Sequence, residues 1–244
     1  MVEMIEKKVD NYKFFIFKEK SELSDFFLKY ISNQIKTALK VKDRFQFCVC
    51  GGSTPKLIYE KLSNINLSWK NVDIFLGDER CVDPQSEESN TRMLKKSLIK
   101  NYASKAFFYE IFKNKEFNDD LSKQNFITAL RQKCKGEPPQ FDMTLLGLGD
   151  DGHTASLFPY VDINNNELLI NTFGKGLKRI SLTPKVLSAS SKITFLVTGA
   201  SKRLALKRLI DPNESPKRTP AKLINSSSEI LIFCDLESSN ELPI

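Results

Sequence analysis

One pattern constrains this chain more than any other: apolar, strand-like runs alternate with amphipathic stretches of helical period from one end to the other. Such alternation is the mark of crossover units laid onto a mostly parallel sheet. The runs at Lys13–Phe17, Phe45–Cys50, Val72–Leu76, Phe107–Ile111, Phe141–Leu146, Ile193–Thr198 and Glu229–Cys234 are the expected strands. Between them, Ser21–Leu39 has the spacing of a helix, with Ser21 as its expected cap and Leu23, Phe26, Phe27, Tyr30, Ile31 and Ile35 on one face. Further helices are expected at Pro55–Leu62, Asn90–Lys100, Asn118–Lys135 and Ser201–Ile210, and the proline-containing segment Asp211–Pro220 as a connection back to the last strand. The class is therefore α/β: a mostly parallel, doubly wound, Rossmann-like sheet flanked by helices. With 244 residues and no composition break, a single domain over 1–244 is expected.

Composition excludes several roles. No apolar run approaches the roughly 18 residues of a membrane-spanning helix, and the N-terminus mixes acids with bases and has no apolar core behind it, so a cytoplasmic protein is expected. The cysteines at 48, 50, 81, 134 and 234 are odd in number and scattered, which suits reduced thiols; with one histidine and no C-x-x-C pair, a zinc site is not expected. The net charge of +7 comes from lysines spread along the chain among acids, without the contiguous basic stripe a nucleic-acid binder needs.

In open α/β sheets, ligands bind beyond the carboxyl ends of the strands, so the residues that follow each apolar run carry the information. Gly51-Gly52-Ser53-Thr54-Pro55 lies between a strand and a helix. Its glycines let backbone approach an anion closely, Thr54 is an expected helix cap, and a helix N-terminus suits a phosphate. Asp78-Glu79-Arg80 follows the next strand as a polar wall, with Arg80 as a fixed cation. The most specific stretch is Gly147-Leu148-Gly149-Asp150-Asp151-Gly152-His153-Thr154-Ala155-Ser156-Leu157-Phe158-Pro159. Its glycines match G-x-G-x-x-G, but Pro159 cuts short any following helix and no acidic strand end lies about twenty residues on, which argues against a dinucleotide site. It holds instead the sole histidine, His153, the natural general base near neutrality. Arg179 and Lys202, each beside small hydroxyl residues, complete an expected phosphate cradle of amides, hydroxyls and cations.

In order and spacing, GGSTP, GDER, GLGDDGHTASLFP, RISLTP and TGASK resemble the 6-phosphogluconolactonase family. The resemblance implies a fold of the glucosamine-6-phosphate deaminase and ribose-5-phosphate isomerase kind, and hydrolysis of 6-phosphoglucono-1,5-lactone in the pentose phosphate pathway without metal or cofactor. It implies His153 as base, Asp151 as its support and Arg80 near the lactone. Ser53, Thr54, Arg179 and Lys202, with Gly51 and Gly52, are implied around the phosphate, and Asp78, Glu79 and Gly149 in the pocket. The deaminase is the nearest alternative. Where its pattern reads D-E-Y, with Asp as base, this chain has Asp78-Glu79-Arg80, and where it reads D-G-H-I-A-F-N-E-P this chain has Asp151-Gly152-His153-Thr154-Ala155-Ser156-Leu157-Phe158-Pro159. A non-catalytic sugar-phosphate sensor would keep the cradle and need no histidine. The polar tail after Cys234 leaves open a longer fusion, with glucose-6-phosphate dehydrogenase as the expected fused or functionally coupled partner.

Overall fold

The computed structural model describes residues 4–112 and 119–242. In chain order the strands are β1 (Met4–Val9), β2 (Tyr12–Phe17), β3 (Phe45–Val49), β4 (Val72–Leu76), β5 (Asp78–Arg80), β6 (Phe107–Tyr109), β7 (Met143–Gly147), β8 (Leu169–Gly174), β9 (Leu177–Leu182), β10 (Ile193–Val197) and β11 (Ile230–Asp235). The helices are α1 (Lys20–Ala38), α2 (Ser53–Leu62), α3 (Asn90–Ser97), α4 (Asp119–Lys133), α5 (Pro184–Ser188), α6 (Arg203–Ile210) and α7 (Leu236–Ser239).

Eight strands form the main sheet in the order β1-β2-β11-β10-β7-β3-β4-β6. Every neighbouring pair is parallel except β1 with β2. The central strands β3, β4 and β10 are buried at every position, as strands covered on both faces must be. From β3 the chain steps outward through β4 to β6, then returns to the other side of β3 to lay down β7, β10 and β11. Strand order therefore reverses between β3 and β7, and a crevice opens there at the carboxyl edge.

Helix α1 buries Leu23, Phe27, Ile31 and Ile35, spaced at four residues, and Phe27 packs its ring 4.7 Å from that of Phe233 in β11. Its cap is Glu19 rather than Ser21; the Glu19 amide donates to Glu22 Oε2 at 3.2 Å, so the reciprocal bond of a capping box sets the cap two residues early. Likewise α2 is capped by Gly52, whose φ of 117° only glycine adopts readily, and Thr54 falls inside the first turn. The expected strand at Phe107–Ile111 ends at Tyr109, and α4 is described from Asp119, so the expected start at Asn118 lies outside the described residues.

Two features were not expected. β1 is an antiparallel edge strand whose central residues, Ile5–Lys8, are all exposed. A second, three-stranded antiparallel sheet, β5-β9-β8, sits beside the main one. It is possible because Gly77 breaks the chain between β4 and β5, and because Lys175 and Gly176, with φ of 51° and 80°, turn β8 back into β9. No helix among the described residues is long and apolar enough to cross a membrane.

Candidate active site

The crevice between β3 and β7 is a cavity of about 210 Å³. Of the residues the sequence singles out, Gly51, Gly52, Ser53, Thr54, Asp78, Arg80, Gly149, His153, Arg179 and Lys202 line it. They come from five separate segments, after β3, β7 and β10 and on β5 and β9, which are adjacent only in the finished sheets.

The loop after β7 holds His153. It opens no helix: Gly149 N–H donates to the His153 carbonyl at 2.8 Å and Gly152 N–H to that of Gly149 at 3.0 Å, which curls the backbone into a tight loop. The glycine run thus lacks the helix N-terminus on which a dinucleotide fingerprint depends. Asp151 lies behind the imidazole and does not line the cavity itself. Its Oδ1 is 2.5 Å from His153 Nδ1 and accepts the His153 amide at 3.0 Å. Partial burial pushes the Asp151 carboxyl pKa up, but the bonds from the His153 ring and amide outweigh it and hold the group well below the usual carboxylate range. An ionised Asp151 keeps the proton on Nδ1, which leaves Nε2 as the basic nitrogen. A Cβ on Gly149 would stand 2.0 Å from His153 Nδ1, so only glycine lets the pair close over it.

At the opposite wall, Ser53 and Thr54 occupy the first turn of α2, where backbone N–H groups have no intrahelical partner. Thr54 Oγ1 is 3.0 Å from Thr198 Oγ1 at the end of β10, which ties this turn to the strand that leads to Lys202.

The second sheet supplies the two guanidinium groups. Arg80 on β5 is the direct cross-strand partner of Arg179 on β9, so the two project side by side. The sequence reading assigned them to different ends of the substrate; the register makes them neighbours. Arg179 is buried, and burial first, then the charge of Arg80, pushes its pKa down. It is held by a bond from Nε to the Gly174 carbonyl at 3.2 Å, by Asp78 Oδ2 at 3.9 Å from Nη1, and by the face of Phe158, 5.2 Å from its guanidinium carbon. Two like charges set this close form a pocket for an anion.

Glu79, expected in the pocket wall, does not line the cavity. It is buried under the start of α3 and accepts the amides of Thr91 at 2.7 Å, Asn90 at 2.9 Å and Arg80 at 2.7 Å. Burial pushes its pKa up, against the pull of those amides. Strand alternation explains the difference: between Asp78 and Arg80, residue 79 must face the other way.

Asn90 and Thr198 line the cavity and were missed. Asn90 Nδ2 donates to the Asp78 carbonyl at 3.0 Å, and its side chain fills the space above Gly51, where a Cβ would meet Asn90 Oδ1 at 2.0 Å. Its only sequence signal was its place at a helix start. Thr198 directly follows a strand and satisfied the rule that found the other residues.

The chain matches the family described as glucosamine-6-phosphate isomerases/6-phosphogluconolactonase over residues 18–233. It belongs to that family. A 6-phosphogluconolactonase of Nostoc is 33% identical over 222 residues, 89% of this chain and 92% of the relative. One from Helicobacter pylori is 30% identical over 220 residues, 88% of this chain and 94% of the relative. Among solved structures, a 6-phosphogluconolactonase from Shewanella baltica superposes with a TM-score of 0.83 at 26% identity, covering 96% of this chain and all of that one. A monomeric glucosamine-6-phosphate deaminase superposes at 0.77 with 18% identity, covering 93% of this chain and 98% of that one, a likeness of fold. Both branches of the family therefore share this architecture, and the site residues must separate them.

Proposed function

We propose that the chain hydrolyses 6-phosphoglucono-1,5-lactone to 6-phosphogluconate, with His153 as general base. The observation that carries this reading is the sole histidine in the cavity wall, its Nδ1 held 2.5 Å from Asp151 Oδ1. The substrate phosphate rests on the first turn of α2, with the hydroxyls of Ser53 and Thr54 and the cations of Arg179 and Lys202 around it. Nε2 of His153 takes a proton from water as its oxygen attacks the lactone carbonyl carbon. Arg80 faces the oxyanion that develops. As the tetrahedral adduct collapses, His153 returns the proton to the ring oxygen and the C–O bond breaks.

General base catalysis is worth about 10²- to 10⁴-fold, and a charge-assisted bond from Arg80 about 1.5–3 kcal/mol. Since sugar lactones already open slowly in water, these contributions suffice. A deaminase reading would give Asp78 the role of base. Here Asp78 accepts the Ser156 hydroxyl at 2.5 Å and lies 3.9 Å from Arg179, the setting of a structural carboxylate. Coupling to glucose-6-phosphate dehydrogenase, which makes the lactone, belongs to the same reading.

The test is acid release from freshly generated lactone, with spontaneous opening subtracted. The wild-type chain should accelerate it and His153→Gln should lose about 10²-fold or more. Wild-type hydrolysis no faster than the blank, or ammonia released from glucosamine 6-phosphate, would refute the proposal.

A further inference from the structure

Phe158 is 5% exposed and five residues beyond His153, yet it is no ordinary core residue. One side of its environment is the imidazole of His153, with ring centroids 4.7 Å apart and planes 33° apart. Another is the guanidinium of Arg179, 5.2 Å from the ring centroid. The ring reaches this position only because residue 174 is glycine: a Cβ there would fall 2.3 Å from Phe158 Cδ2 and Cε2. Gly174 has no left-handed backbone that would otherwise require glycine, since it is absent from the positive-φ glycines at 52, 136, 152, 176 and 199. Its carbonyl also accepts Arg179 Nε, so the strand that admits the ring orients the guanidinium too.

From this geometry we infer that Phe158 is a positioning residue: a rigid spacer whose ring fixes the distance between the general base and the phosphate-anchoring guanidinium, and so matches the site to a sugar lactone phosphorylated at the far end. The physical argument is that a substrate anchored at its phosphate reacts well only if the carbonyl carbon arrives at Nε2. The two anchoring groups come from the loop after β7 and from β9, in different sheets, and the Phe158 ring touches both. An aromatic ring has two side-chain torsions, offers a flat face to an imidazole and a negative face to a cation, and so couples both at low entropic cost. A flexible aliphatic side chain of similar volume would fill the space without fixing the separation.

The inference rests on the lactonase reading for its kinetic consequence, while the sole histidine gives a readout independent of it: His153 supplies the one imidazole Hε1 signal in a proton NMR spectrum. Phe158→Leu should move that signal, by removing the ring that shields it, and should lower kcat/KM by about 100-fold, divided between a lower kcat and a higher KM. Gly174→Ala, which leaves Phe158 in place but pushes its ring, should do both to a similar extent. In the Phe158→Leu background, Gly174→Ala should cost no more than about 2-fold, because the ring atoms nearest to the added methyl are gone. If Phe158→Leu does not fold, Phe158→Met takes its place in the cycle. The spacer is overturned if either variant keeps wild-type kcat and KM, if the imidazole signal stays put, or if the two losses multiply. Inactive wild-type protein would instead sink the lactonase reading, and the NMR arm would still decide the spacer.

Discussion

Adding one methyl group at Gly149 should disable the site without removing any catalytic group. A Cβ there would stand 2.0 Å from His153 Nδ1 and 2.6 Å from Asp151 Oδ1. Ordinary contact begins at 3.4 Å, so the ring must retreat by about 1.4 Å and the carboxylate by about 0.8 Å, the differences from those two distances. Both obstacles are side-chain ends rather than backbone, and the position carries no left-handed φ, so the loop itself survives. A displacement of about 1 Å in a catalytic group costs on the order of 10²-fold, which is about 2.7 kcal/mol of barrier. Gly149→Ala should therefore lower kcat/KM on fresh lactone by that factor, while its thermal midpoint and its affinity for 6-phosphogluconate, set largely by the opposite wall, stay close to wild type. A variant within about threefold of wild type would refute the claim that the closed Asp151–His153 pair sets the rate. A variant that unfolds would refute the claim that the loop tolerates the methyl.

Two further outcomes follow from buried or paired carboxylates. Glu79→Gln places an amide donor among the N–H groups of Arg80, Asn90 and Thr91, and should lower stability in urea unfolding by about 1–3 kcal/mol through a donor left without an acceptor; an unchanged midpoint would show that those bonds do not hold α3. The depressed pKa of Asp151 means that its contribution to stability is complete above its unfolded value of about 4 and is lost as the pH falls below it. Asp151→Asn should flatten that acid limb of a stability-against-pH curve, and an identical limb in the variant would show that the pairing with His153 adds nothing to the folded state.

The main sheet was legible because parallel strands buried on both faces read as continuous apolar runs, and β3, β4 and β10 fall where those runs predict. The second sheet was not. β5 is only the three charged residues Asp78–Arg80, which read as a turn, and β8 and β9 mix Asn171, Thr172, Lys178 and Arg179 into their runs. The hairpin signal Gly174-Lys175-Gly176 was present in the sequence and unused. The site is affected as well: without the β5–β9 register, the adjacency of Arg80 and Arg179 is not visible and Glu79 looks like part of the wall. The residues found after β3, β7 and β10 obey one rule, that ligands gather at carboxyl ends of strands; Arg179 lies inside β9, and the rule says nothing about which way alternate residues on a strand point.

The dispersal of the site over Gly51, Arg80, His153, Arg179 and Lys202 ties chemistry to the last stages of folding. The β3 and β7 loops face each other only after the chain has built β4 and β6 and come back, and the Arg80–Arg179 register closes a loop of chain of similar length. Contacts of such long sequence separation form late and slowly. A fragment that lacks either sheet lacks part of the cavity lining. Catalysis is thus a stringent reporter of native structure: during refolding, turnover should trail the recovery of helix and reach its plateau only when both sheets are complete.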